Sequence, residues 1–230
     1  SLFFALTSVI LAYLISLPIG IKAAANKNSP FDKTSSVILF VLYAMPTFWV
    51  ATILLMSFAN VEALHIFPAS GIQPVTGIPD DANWLTTIKL RLPYLILPTI
   101  AFTYSQLAFL SRITRVSTLE IIAQDYIRTA RAKGLSEYTV IYKHAFRNAL
   151  LPIITVFSNI FPMAISGSVI LETIVTIPGM GEQVFHAITT KDYPVIIDVF
   201  TLTGILTLLG YLVADILYAV ADPRISYASK

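Results

Sequence analysis

Residues Ser1–Ile21 read SLFFALTSVILAYLISLPIGI and contain no Asp, Glu, Lys or Arg. A helix that crosses the hydrocarbon of a bilayer needs roughly 20 consecutive, mostly apolar residues. This stretch has that length. Four more stretches follow the same rule. Thr34–Val61, Leu92–Ser111 and Asn148–Leu171 are uncharged, and Tyr193–Ala221 carries only Asp198 and Asp215. The sequence therefore predicts an all-α, polytopic membrane helix bundle with five spans. Ala63–Pro79 is also uncharged, but Pro68, Gly71, Pro74, Gly77 and Pro79 interrupt it. Irregular backbone exposed to lipid is not tolerated, so it reads as a loop. Ser1–Ile21 lacks the basic start of a signal peptide and its apolar run is too long for one.

The whole chain agrees with these stretches. Of 230 residues, 56% are hydrophobic and 12% charged, whereas soluble domains carry roughly 25% charged residues. This composition argues against a soluble enzyme. A net charge of +2 is too small to suggest a polyanionic partner, so no nucleic acid is expected. The absence of cysteine removes disulfides, thiolate metal sites and cysteine nucleophiles. No metal site is expected.

Lys and Arg collect in cytoplasmic loops of membrane proteins. Lys22, Lys27 and Lys33 lie between the first and second spans. Arg112, Arg115, Arg128, Arg131, Lys133, Lys143 and Arg147 lie between the third and fourth, and Arg224 and Lys230 follow the fifth. Only Lys89, Arg91 and Lys191 fall on the other side. Twelve against three makes the first side cytoplasmic. The loop 112–147 and the C-terminus are then inside, and loops 62–91 and 172–192 outside, within one transmembrane domain over 1–230. Ser1 would start outside, so a further span is expected upstream. Pro46, Pro98, Pro152 and Pro162 fall within spans and predict kinks that neighbours re-satisfy.

The loop 112–147 has helical rhythm. Ser117-Thr118-Leu119-Glu120 is a possible capping box. Leu119, Ile122, Tyr126, Ala130 and Lys133 form a stripe with steps of three or four. Gly134 suits the C-terminal stop, and Arg131 and Lys133 complement the helix dipole. A second helix starts near Ser136, with Tyr138, Ile141, Tyr142, Ala145, Phe146 and Ala149 as its apolar stripe. The loop is a helix–Gly–helix element, greasy on one side and basic on the other.

Asp125-Tyr126-Ile127-Arg128-Thr129-Ala130-Arg131-Ala132-Lys133-Gly134-Leu135-Ser136, with His144-Ala145-Phe146-Arg147-Asn148-Ala149-Leu150-Leu151-Pro152 after it, resembles the cytoplasmic coupling loop of ABC importer permeases. It is most similar to the dipeptide/oligopeptide branch. The general Glu-Ala-Ala slot reads Arg128-Thr129-Ala130 here, a form typical of that branch. Pro68-Ala69-Ser70-Gly71, then Glu172 with Pro178-Gly179-Met180-Gly181 and Asp192-Tyr193-Pro194, then Asp222-Pro223-Arg224, resemble further motifs of the branch in the same order.

The resemblance implies an inner-membrane permease of a bacterial or archaeal cell. It would be a non-catalytic subunit forming, with a second permease, a path for peptides. One or two cytoplasmic ATPase subunits would bind ATP and magnesium, and an external binding protein would deliver cargo. The chain itself lacks any Gly-x-x-x-x-Gly-Lys-Ser/Thr loop, so no cofactor is expected in it. Asp125, Arg128, Thr129, Ala130, Arg131, Gly134, Leu135 and Ser136 would couple to the ATPase. Thr47, Asn159, Ser166 and Ser168, polar residues in apolar spans, would line the path. Related permeases of the branch move nickel, glutathione or sugars, so cargo stays open. Asp198 and Asp215 are expected at the membrane interfaces. The competing readings are a proton-coupled secondary transporter using one of these two carboxylates, and an intramembrane enzyme, for which no His-Glu-x-x-His or Gly-x-Ser-x-Gly pattern exists. Asp32-Lys33-Thr34 reads as a short polar turn after Pro30.

Overall fold

A computed structural model describes residues 2–160, 162 and 167–221. Among these residues the chain is helical, without strands. Its helices are α1 Leu2–Ala25, α2 Pro30–Ala44, α3 Thr47–Phe58, α4 Trp84–Ile122, α5 Asp125–Ala132, α6 Phe146–Ser158, α7 Val169–Ile174, α8 Met180–Thr190 and α9 Tyr193–Ala221. A π-helical stretch, Thr139–Ala145, runs directly into α6.

The crossing of α1 and α4 is the most extensive helix pair. Helices in lipid gain little from hiding apolar area from one another, so close backbone approach decides the packing. α1 meets this need with small residues at every fourth position. Ser8, Ala12, Ser16, Gly20 and Ala24 are all buried. On α4, Ala101, Ala108, Ser111, Thr114 and Thr118 are buried in turn. A Cβ on Gly20 would lie 2.6 Å from Thr114 Cβ and 2.8 Å from the Ser111 carbonyl oxygen. Glycine is required there by proximity, its backbone being ordinary helix.

The expected second span, Thr34–Val61, is divided. α2 and α3 meet at 98°. The cause is local: Pro46 drives Met45 into an extended conformation (φ −80°, ψ 129°). The Met45 carbonyl then accepts a hydrogen bond from Tyr104 Oη of α4 at 2.8 Å. The freed group is thus re-satisfied by a neighbour, as a bilayer demands.

Three helices, α1, α4 and α9, are long and apolar enough to cross a membrane, and the bent α2–α3 pair would make a fourth. The expected count of five is therefore not reproduced among the described residues. The stretch Asn148–Leu171 is not one helix: α6 stops at Ser158, and α7 starts only at Val169. α4 also differs from expectation, running 39 residues from Trp84 to Ile122. It takes in the last eight residues of the expected outer loop 62–91 and the first eleven of the inner loop 112–147. The outer loop 172–192 likewise contains the helix α8.

Two sets of connections mark the two ends of the bundle. At one end the first turn of α2 reaches α4 through Asp32 and Arg115, and Arg147 Nε donates to the Ala221 carbonyl at 3.3 Å. At the other, the Gly71 amide donates to the Val175 carbonyl at 3.3 Å. α9 packs along α6 and against α8, burying only Gly210 and Ala214 among its residues, and Asp198 and Asp215 are exposed on it.

Candidate functional site: the helix pair at Gly134 and the polar cavity

α4 ends at Ile122, and the chain restarts at Gln124, the N-cap of α5. The expected capping box at Ser117 does not form. Ser117 and Thr118 are buried inside α4, where continuing the helix packs both into the bundle. The break at Ala123–Gln124 resets the helical phase, and this corrects the expected stripe. Tyr126 and Lys133 are exposed, and Ile127 takes the inner position with Ala130. Ile127, Ala130, Val140 and Ala145 form one buried cluster, against which Ile121 and Ile122 pack. Val140 replaces Tyr138, which is 73% exposed.

Gly134 makes the turn between the halves at φ +78°. A side chain there would meet nothing within 4 Å, so the constraint is the left-handed backbone alone. Ser136 Oγ then accepts from the Thr139 amide at 3.3 Å, starting the next helical stretch. The Phe146 amide reaches back five residues to the Ile141 carbonyl, closing the π-helical stretch. Asn148 Nδ2 donates to Tyr126 Oη at 2.7 Å, tying α5 to α6.

The charged residues divide their roles. Arg131 is engaged by both carboxylate oxygens of Glu137, at 2.8 and 3.2 Å. Arg128 pairs with Asp125 at 3.2 Å, with both side chains largely in solvent. Such a pair contributes little, on the order of 0.2–1 kcal/mol, so Arg128 is free to exchange it for a partner. Thr129 Oγ1 turns inward along its own helix, donating to the Asp125 carbonyl at 3.1 Å. Leu135, Tyr138 and Tyr142 are exposed as well, and the two tyrosine rings lie 4.6 Å apart between centroids. The outer face of the pair is therefore aromatic and cationic.

One charge contact was not legible as such. Asp32, read as part of a polar turn, is 2% exposed. Arg115 grips it with Nε at 2.5 Å and a second nitrogen at 2.9 Å. The same carboxylate accepts from the Asn28 amide at 2.9 Å, and Asn28 has a positive φ of 65°. This joins the α1–α2 turn to α4 less than three turns before α4 gives way to α5.

A cavity of about 270 Å³ lies between α1, α3, α4 and the start of α7. Its polar lining is Thr47, Ser105, Gln106 and Ser168. Two of the four expected path residues, Thr47 and Ser168, are thus brought together. Asn159 is instead an exposed C-cap of α6, and Ser166 lies outside the described residues. Ser105 and Gln106 were missed. The signal was present, since Gln106 is the one amide side chain in the uncharged stretch Leu92–Ser111.

Near the other end, the Glu172 carboxylate accepts from the Glu182 amide at 3.1 Å, at the start of α8. A Cβ on Gly179 would run into this carboxylate, and one on Gly181 would lie 2.7 Å from its Oε2. The two glycines of Pro178-Gly179-Met180-Gly181 are spaced to admit a buried acid at a helix start. The Asp222-Pro223-Arg224 motif lies outside the described residues.

Residues 16–227 match the family described as binding-protein-dependent transport system inner membrane component. The chain is 41% identical over 222 residues to the oligopeptide transport system permease protein AppB of Bacillus subtilis (strain 168), covering 96% of this chain and 67% of that protein. It is 35% identical to the dipeptide transport system permease protein DppB of the same organism, covering 98% and 67%. To the di/tripeptide transport system permease protein DppB of Pseudomonas aeruginosa (strain UCBPP-PA14) the identity is 37%, over 96% and 69%.

Proposed function

This chain belongs to the family of binding-protein-dependent transport system inner membrane components, as a non-catalytic permease subunit, and from that premise we propose that it carries peptides inward and is driven by an ATPase gripping the α5–Gly134–α6 element. The observation that carries this reading is the division of that element into two faces. Its inner face is sealed by Ile127, Ala130, Val140 and Ala145. Its outer face offers Arg128, Leu135, Tyr138 and Tyr142 to a partner. A rigid, small element with an aromatic and cationic outer surface suits a groove on a cytoplasmic subunit. ATP and magnesium would be held by that subunit.

The orientation follows from charge. Lys22, Lys27, Lys33, Arg112, Arg115 and the Arg128–Arg147 cluster would face the cytoplasm with the end of α9. Relatives named for oligopeptides and dipeptides favour peptides as cargo. The polar cavity at Thr47, Ser105, Gln106 and Ser168 would line this chain's half of the path. A second permease would complete it, and an external binding protein would deliver to it.

The chain has no cysteine, so introduced thiols report without background. Thr47→Cys and Ser168→Cys, in the assembled transporter, should react with a water-soluble maleimide and be protected by transported peptide. Arg128→Cys should be labelled only from the cytoplasmic face and lose labelling when the ATPase binds. Labelling of Arg128→Cys from outside would overturn the orientation. Unchanged labelling of both cavity thiols in the presence of peptide would overturn the path.

A further inference from the structure

We propose that the cavity between α1, α2 and α4 is a binding site for the headgroup of an acidic phospholipid. This needs only that α1 and α4 cross the bilayer, and goes beyond the transport reading. The cavity holds about 300 Å³. One part of its wall is apolar, from Ile19, Leu39, Phe40 and Val116. Phe40 is 65% exposed and Val116 is 42% exposed, so this wall continues onto the exposed apolar surface of the chain. The other part is polar, from Ser35, Ser36, Ser111, Arg112 and Arg115.

The charge in this cavity does not cancel. Asp32 is the acidic group at this end of α2, and it is committed to Arg115. Arg112 makes no hydrogen bond or ion pair with any described residue. It leaves one uncompensated guanidinium at the rim. Ser35 and Ser36 line the same cavity from α2. A phosphodiester answers this charge, since it accepts charge-assisted bonds from a guanidinium. The acyl chains would leave along Phe40 and Val116. A basic pocket between spans at the charged end of a bundle is where anionic lipid headgroups are held. A zwitterionic headgroup would bring its own cation toward Arg112, so phosphatidylglycerol is favoured over phosphatidylcholine.

The test uses the whole chain in neutral detergent. Retained lipid is counted by native mass spectrometry after mixing with equimolar phosphatidylglycerol and phosphatidylcholine. The expected result is preferential retention of phosphatidylglycerol, about fivefold weaker in Arg112→Gln and restored in Arg112→Lys. Lys89→Gln, at the opposite end, should leave retention unchanged. A parallel arm with inorganic phosphate or glycerol phosphate separates headgroup from lipid. The proposal requires that these soluble anions compete only weakly. Equal retention of both lipids, indifference to Arg112→Gln, or full competition by inorganic phosphate overturns it. So would a cross-link from Ser36→Cys to another protein chain that excludes phosphatidylglycerol.

Discussion

Replacing Asp32 by Asn removes one charge from a contact that is closed to water on the carboxylate side. The Asp32 side chain is 3% exposed and that of Arg115 27%. Stranding one member of a buried ion pair costs about 3–5 kcal/mol. Two features reduce that figure. Arg115 is partly hydrated, and Asn can still accept from the Asn28 amide that Asp32 now caps at 2.9 Å. About 2–3 kcal/mol is therefore the expected loss. For a chain of this size, 1 kcal/mol shifts a thermal midpoint by about 2–4 °C, so Asp32→Asn should unfold about 4–12 °C earlier in detergent. Arg115→Gln should fall in the same range. The double variant should recover part of the loss, since neither charge is then stranded. The cycle is completed by following tryptophan fluorescence or aggregation on heating. A midpoint within 1 °C of the parent for Asp32→Asn, or strict additivity in the double variant, would refute the argument that the pair acts as one buried unit.

Gly134→Val should insert into the membrane normally yet fail to copurify with the ATPase and to support uptake. The left-handed turn then costs about 1–3 kcal/mol, without any steric clash; normal uptake counts against coupling at this turn. Gly20→Val should separate α1 from α4, because its branches meet Thr114 and the Ser111 carbonyl. A loss of about 1–3 kcal/mol is expected from overpacking, read as an earlier thermal midpoint, and an unchanged midpoint would deny the close crossing. Glu172→Gln keeps the shape of the buried acid but weakens its cap on α8, by about 1–2 kcal/mol. Limited proteolysis should then cut faster near Pro178–Thr190, and unaltered cleavage would show that the carboxylate is not what fastens α8.

Hydropathy was enough to show a membrane bundle, because α1 and α9 are long runs that no soluble surface would tolerate. It was not enough to place every span. The Pro46 bend depends on Tyr104 Oη arriving from α4 to take the Met45 carbonyl, and no local pattern encodes a partner 59 residues away. The helix pair at Gly134 was legible because glycine, flanking helices and residue order all agree. Its inward face was not, since a two-residue break at Ala123–Gln124 shifts the phase by more than the stripe can reveal. Asp32 shows the same limit from another side. A carboxylate in a polar turn looks solvated until the fold brings Arg115 across 83 positions of chain. The fourfold spacing of Ser8, Ala12, Ser16, Gly20 and Ala24 was visible in the sequence, and reading it as a contact seam would have paired α1 with α4.

α4 contains 39 residues, a rod of about 58 Å at 1.5 Å per residue, against roughly 30 Å of hydrocarbon. About half of its length must therefore project beyond the oily layer. α1 lies against it from Phe4, stacked on Phe102, to Gly20, pressed on Thr114, and α5 follows where it ends. The turn at Gly134 therefore sits at the tip of a stem that begins on the opposite side of the oily layer.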